Sequence, residues 1–218
     1  MSKGKYSKNQ GFNVRPLVLV LAVALLIGAT IGGTVAWLTA STETVENTFT
    51  VGDITIDLNE HVYNPAENKL TTEITKKNDN YKFAPGQTLP KDPYVTVTAG
   101  NEKCYLFIQA TETNNAINGV TGDIIQYAID DAVWTIVPEQ THVWYKVIDP
   151  LTANTDYNVL KDKQVKVSTD VTKEMKATLD QNNPKLSFKA YAIQYNYLTK
   201  DGAAVTTPEG AWTMVSGT

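Results

Sequence analysis

Beyond residue 36 the chain alternates residue by residue, and that rhythm restricts it to extended structure. In the run Cys104–Glu112, Cys104, Leu106, Ile108 and Ala110 fall on one face of a strand, and Tyr105, Phe107 and Gln109 fall on the other. Comparable runs, rich in β-branched and aromatic residues, predict strands at Thr48–Leu58, Tyr94–Ala99, Ile124–Ile129, Ala132–Val137, His142–Ile148, Asn158–Leu160, Gln164–Ser168 and Leu186–Leu198. Turn chemistry separates them at Ala99-Gly100-Asn101, Asn118-Gly119, Pro138, Asp149-Pro150 and Asp201-Gly202. Many short strands with few helices imply an all-β fold, an antiparallel sandwich whose two inner faces share one core.

One segment breaks the rhythm. Val171, Met175 and Leu179 recur every four residues and predict a short helix, with Asp170 to cap its start and Asn182-Asn183-Pro184 to stop it. Such a helix is expected to cover a sandwich edge. Asn59–Pro93 is mostly polar, but a structureless loop of that length is improbable in a compact domain. Lys69–Ile74 is therefore expected to supply a further edge strand. No internal repeat and no linker argues for a second folded domain.

Cys104 is the only cysteine, so neither an intrachain disulfide nor a thiolate metal cluster is available. A domain of roughly 180 residues buries about 70% of its unfolded surface and needs no such staple. The formal charge of −4 conceals an asymmetry. Residues 1–36 hold Lys3, Lys5, Lys8 and Arg15 and no acid, which leaves 15 of the 19 basic residues against all 23 acids, or about −8, for the rest. Arg15 is the only arginine in the chain, so the bidentate recognition typical of a nucleic-acid face has no donor in the acidic portion. Nucleic acid is not an expected partner.

Residues 1–16 are polar and basic, Leu17–Ile27 reads LVLVLAVALLI, and Thr34-Val35-Ala36 places small residues where a signal peptidase reads them. This predicts a signal peptide over 1–36, cut between Ala36 and Trp37, with transient contact to the translocon and signal peptidase. The competing reading is a retained anchor, since the 22 uncharged residues from Leu17 to Leu38 can span a bilayer. In both cases the basic flank stays inside and the acidic domain, residues 37–218, is placed outside.

The stretch Gly32-Gly33-Thr34-Val35-Ala36-Trp37-Leu38-Thr39, followed by Asn47-Thr48-Phe49-Thr50-Val51-Gly52-Asp53-Ile54, resembles the TasA/camelysin family of Gram-positive bacteria, exported with a SipW-type signal peptide. The turn Pro85-Gly86-Gln87-Thr88-Leu89-Pro90-Lys91-Asp92 carries a second likeness. Together these cover about a quarter of the chain; beyond Asp92 the match is one of architecture. The resemblance implies a jelly-roll-like sandwich with one short helix behind a signal helix, secreted into a biofilm matrix or onto the cell surface. It also implies self-assembly into fibres by donation of an N-terminal strand, with an anchoring subunit or matrix polysaccharide as further partners. Residues 37–49 suit that role: they lack Pro and Gly, and Trp37, Val45 and Phe49 share one parity while Leu38 lies on the other. The competing reading is a first strand paired within its own domain, or a frayed terminus.

Some camelysin-like members are described as metallopeptidases, yet the residues here give that chemistry little to use. The only histidines, His61 and His142, are far from the one-turn spacing of a helical zinc motif. A site uniting both with one carboxylate is the remaining route. No Gly-x-Ser-x-Gly elbow occurs, and Cys104 reads as a small core residue. No catalytic residue, metal ligand or cofactor is assigned. Asp123, Asp130 and Asp131 offer oxygen ligands to calcium, but without the spacing of a calcium loop. The alternative function is a carbohydrate-binding adhesin module, with Trp134, Trp144, Tyr191, Tyr195 and Tyr197 as an aromatic platform; core packing is the competing use of those rings.

Overall fold

The computed structural model describes residues 39–42, 54–78, 81–82 and 84–217, with side chains described from residue 54 onward except at 176, 177 and 182. The chain divides into two units, Met1–Trp37 and Leu38–Thr218, and every described strand and helix belongs to the second. The expected signal peptide, its cleavage point at Ala36 and Trp37, and the donor residues Leu38, Val45 and Phe49 lie outside the described residues.

The fold is an all-β antiparallel sandwich. Its central ladder joins β6 (Cys104–Thr113) to β12 (Lys185–Gln194) over ten residues, from Lys185 opposite Thr113 to Gln194 opposite Cys104. On the far side of β6 lies β9 (Val143–Ile148), with Cys104 opposite Ile148, and then the two-residue β8 (Thr135–Ile136). On the far side of β12 lies β1 (Thr39–Thr42), so the sheet runs β1-β12-β6-β9-β8. A second sheet runs β10 (Thr155–Asn158), β5 (Tyr94–Val97), β2 (Ile56–Asn64) and β3 (Lys69–Thr75). A small third sheet joins β4 (Thr88–Pro90), β11 (Gln164–Val167) and β7 (Ile125–Gln126). A last hairpin pairs β13 (Thr199–Lys200) with β14 (Ala203–Ala204) around Asp201-Gly202.

The alternation in β6 sorts its side chains as expected. Cys104, Leu106, Ile108 and Ala110 join Ala190, Ala192 and Phe188 of β12 against Ile56, Val95 and Val97 of the second sheet, making the main core. Tyr105 and Phe107 point the other way and meet Tyr191, Ile193, Leu198 and Trp212 in a second cluster. That second face is covered by a helix missing from the sequence-based expectation, α2 (Pro208–Ser216), which buries Ala211 and Trp212. Its ends follow local chemistry. Thr207 accepts a hydrogen bond from the Gly210 amide, Pro208 opens the first turn, and Gly217 closes it at φ 73°.

Several boundaries move. The strand expected at Thr48–Leu58 begins at Ile56 and continues to Asn64, while 48–53 lie outside the described residues. A register shift between His61 and Tyr63 bulges β2. Asn78 repairs it: its side-chain oxygen accepts from the Tyr63 amide at 2.9 Å and its nitrogen donates to the His61 carbonyl at 2.8 Å. The edge strand expected at Lys69–Ile74 is present as β3. Ile124–Ile129 shrinks to a two-residue strand because Asn115 captures its start, its carbonyl accepting from the Ile124 amide and its side chain from the Ile125 amide. The strand expected to reach Leu198 ends at Gln194, and Tyr197 adopts φ 63°.

The predicted helix starts later than its apolar spacing suggested, as α1 (Lys176–Asn182). Asp170 does not cap it; its carboxylate accepts from the Thr121 amide at 3.1 Å and ties the preceding turn to the 114–123 loop. Val171 and Leu179 are nevertheless buried, and Met175 packs beside them. Asn183, in the left-handed region at φ 45°, ends the helix.

Candidate functional site

On the outer side of β12 the five-stranded sheet ends in the short strand β1. Residues 190–193 of β12 have both faces occupied: Ala190 and Ala192 sit in the main core, while Tyr191 and Ile193 sit in the second cluster. Tyr191 is held by a hydrogen bond to the Gln109 side chain at 3.1 Å and by an edge-on contact with Trp212, with ring centroids 5.1 Å apart. The β6 ladder fixes the inner edge of β12, and β1 pairs along the outer edge. Thr39 lies opposite Ile193, Ala40 opposite Ala192, Ser41 opposite Tyr191 and Thr42 opposite Ala190. Four residues of the 37–49 segment are thus an edge strand on their own chain.

The two histidines lie in separate polar clusters. His61 Nδ1 is 2.7 Å from the Asp92 carboxylate, whose other oxygen accepts from the His61 amide at 3.0 Å. Beside them Lys91 pairs with the buried Glu60 at 2.6 Å and lies over the Tyr81 ring. These groups hold the 76–92 connection onto β2. His142 stands at the start of β9, where its carbonyl accepts from the Ala110 amide and prolongs the β6–β9 ladder. Its Nε2 lies 3.4 Å from Glu112 at the end of β6. No group of three His, Cys, Asp or Glu among the described residues is arranged to hold a metal ion. The Asp130 carboxylate accepts from the Ala132 amide, and Asp131 pairs with Lys161.

Cys104 is fully buried, and desolvation pushes its thiol up to about 12, against a smaller opposing effect from an Asn101 hydrogen bond. It stays a protonated core group at neutral pH.

The five candidate aromatics do not form a shared solvent-facing row. Trp134 is buried in the main core, its indole N–H donating to the Asn158 carbonyl at 2.7 Å, while Tyr191 is buried in the second cluster. Tyr195 packs against Tyr105, and Tyr197 is 89% exposed. Trp144, half-buried, lines a cavity of about 280 Å³ between the β6–β9 ends and the β7 region.

That cavity contains groups that no sequence motif marks. Glu112 accepts hydrogen bonds from Asn115 at 2.7 Å and from the Tyr127 hydroxyl at 2.8 Å. Burial alone would raise the Glu112 carboxyl; the Asn115 and Tyr127 hydrogen bonds and nearby His142 outweigh burial and hold it below the usual carboxylate range. Burial, and then the bond to Glu112, push the Tyr127 phenol above its ordinary value, so it remains a donor. Asp123, Gln126 and His142 complete the polar rim. Glu112 and His142 are thirty positions apart, and only the β6–β9 pairing makes them neighbours.

No family model, curated protein or solved structure matches the chain.

Proposed function

We propose that this chain is an exported structural subunit of the TasA type, a component of a cell surface or biofilm matrix that polymerises by exchanging its N-terminal strand. The observation that carries the reading is the position of Thr39–Thr42: a four-residue edge strand on β12, immediately after the expected cleavage point at Ala36 and Trp37. A short edge ladder is inexpensive to open. Four residues bring hydrogen bonds worth about 1 kcal/mol net each, and ordering their backbone costs about 1–2 kcal/mol per residue. Pairing alone therefore leaves little net hold.

The self-paired arrangement corresponds to the undonated form. In the polymer, the same edge at Ala190–Ile193 receives the equivalent strand of the preceding subunit, and Trp37, Leu38, Val45 and Phe49 supply the side chains that fill the acceptor. A donor and an acceptor on different parts of one subunit make a heterologous contact, which propagates as a filament. Both flanks of the acceptor are braced, by the second sheet and by α2, so the edge persists when its strand leaves.

Deletion of residues 37–48 from the processed protein is the direct test. Under this reading the shortened protein remains monomeric in sedimentation and shows no fibres by electron microscopy. Fibres formed by the deleted protein would refute strand donation. Sequencing the N-terminus of secreted material tests export separately, with Trp37 expected first.

A further inference from the structure

The cavity bounded by Glu112, Asp123, Gln126, Tyr127, His142 and Trp144 is independent of the β12 edge and has a two-sided lining. Trp144 and Tyr127 contribute half-buried aromatic surface continuous with the main core. Asp123 and Gln126 are exposed on one side, and His142 stands on the other. Ligands that meet both kinds of surface have an apolar face and several hydroxyls, which must find partners when removed from water.

Charge narrows the choice. Two carboxylates, Glu112 and Asp123, in a domain already carrying excess acid disfavour an anion. Glu112 is no open counter-charge for a cation either. Asn115, Tyr127 and His142 already surround its oxygens, making it a fixed acceptor that orders Tyr127 and His142. Both His142 ring nitrogens are engaged, by the Thr141 hydroxyl at 2.8 Å and by Glu112 at 3.4 Å, so the open hydrogen-bonding groups at the rim are the Gln126 amide and the Asp123 carboxylate, a pair suited to neutral hydroxyls that both donate and accept. The space is an open depression of about 280 Å³, smaller than pockets for drug-sized ligands and wide enough for a single ring.

We propose that this cavity binds a neutral sugar: one pyranose, or the terminal ring of a glycan, with its C–H face toward Trp144 and Tyr127 and its hydroxyls bonded to Asp123 and Gln126. The site lies away from β1 and does not depend on polymerisation. It gives the protein a means of holding saccharide in either assembly state.

The test uses the purified protein with the methyl glycosides of glucose, galactose, mannose and N-acetylglucosamine, by titration calorimetry and saturation-transfer NMR. Sodium phosphate and tetramethylammonium chloride serve as charged probes. At least one glycoside is expected to bind and to shift the Trp144 indole resonance. Asp123→Ala and Gln126→Ala, both at exposed positions that leave the fold intact, are each expected to weaken that binding about tenfold. Failure of all four glycosides to bind, equal binding by the variants, or preference for either charged probe would overturn the proposal. Fibre formation by electron microscopy is read on the same samples, so loss of sugar binding and loss of assembly are told apart.

Discussion

Replacing Trp212 with Ala tests whether α2 is an integral wall of the sandwich. Trp212 is 4% exposed, lies 5.5 Å from the Phe107 ring and 5.1 Å from the Tyr191 ring, and is the largest side chain that the helix contributes to the second cluster. Truncating a buried tryptophan costs about 3–5 kcal/mol, the sum of lost transfer energy and the cavity left behind. That is a large part of the roughly 5–15 kcal/mol that a domain of this kind possesses. Urea denaturation followed by circular dichroism measures it. A nine-residue helix is not stable alone, so if the variant cannot hold α2 down the helix unfolds before the rest. The denaturant slope then falls together with the midpoint, because less surface remains to be exposed. Thr207→Ala, which removes only the cap on Gly210, is the comparison and should cost about 1 kcal/mol with an unchanged slope. A Trp212→Ala loss below about 1 kcal/mol would refute the claim that α2 seals this face.

Three further outcomes are expected from the geometry. Cys104 should resist thiol reagents at pH 8 in the folded protein and react at once in denaturant, since burial keeps its thiol protonated up to about 12; rapid labelling of the native protein would contradict this. Glu112 is held below the ordinary value of 4.5, so its stabilising contribution is complete above that pH and disappears as pH falls through the lower folded value. The stability gap between wild type and Glu112→Gln should therefore shrink as pH falls below 4.5, and a gap that persists into strong acid would exclude the mechanism. Asp92→Ala removes the acceptor of two His61 hydrogen bonds at a buried position, and chemical denaturation should show a loss of about 1.5–3 kcal/mol, whereas an unchanged midpoint would mean that the 76–92 connection is held by other contacts.

Much of the fold is written in local chemistry. Alternation in Cys104–Glu112 sorts side chains to two faces because successive residues of a strand point in opposite directions, whatever the strand later pairs with. The improbability of a long structureless loop pointed to β3 inside a polar stretch, and the buried site of Cys104 follows from its parity with Leu106 and Ile108. Even α2 has its markers, with Thr207 before it, Pro208 in its first turn and Gly217 after it.

Other features depended on long-range pairing. Asp170 has the right chemistry to cap a helix, yet the nearby Thr121 amide captured its carboxylate, and α1 began six residues later. Tyr191 and Trp134 are both aromatic strand or turn residues, but they entered different clusters because the central sheet is covered on both faces. Glu112, His142, Tyr127 and Asn115 converge only through the registers of β6 with β9 and the path of the loop before β7. An amino-acid sequence states which way a side chain points relative to its neighbours in the chain. Which distant side chain it meets is decided when backbone hydrogen bonds choose a register, and the cavity at Trp144 exists because of that choice.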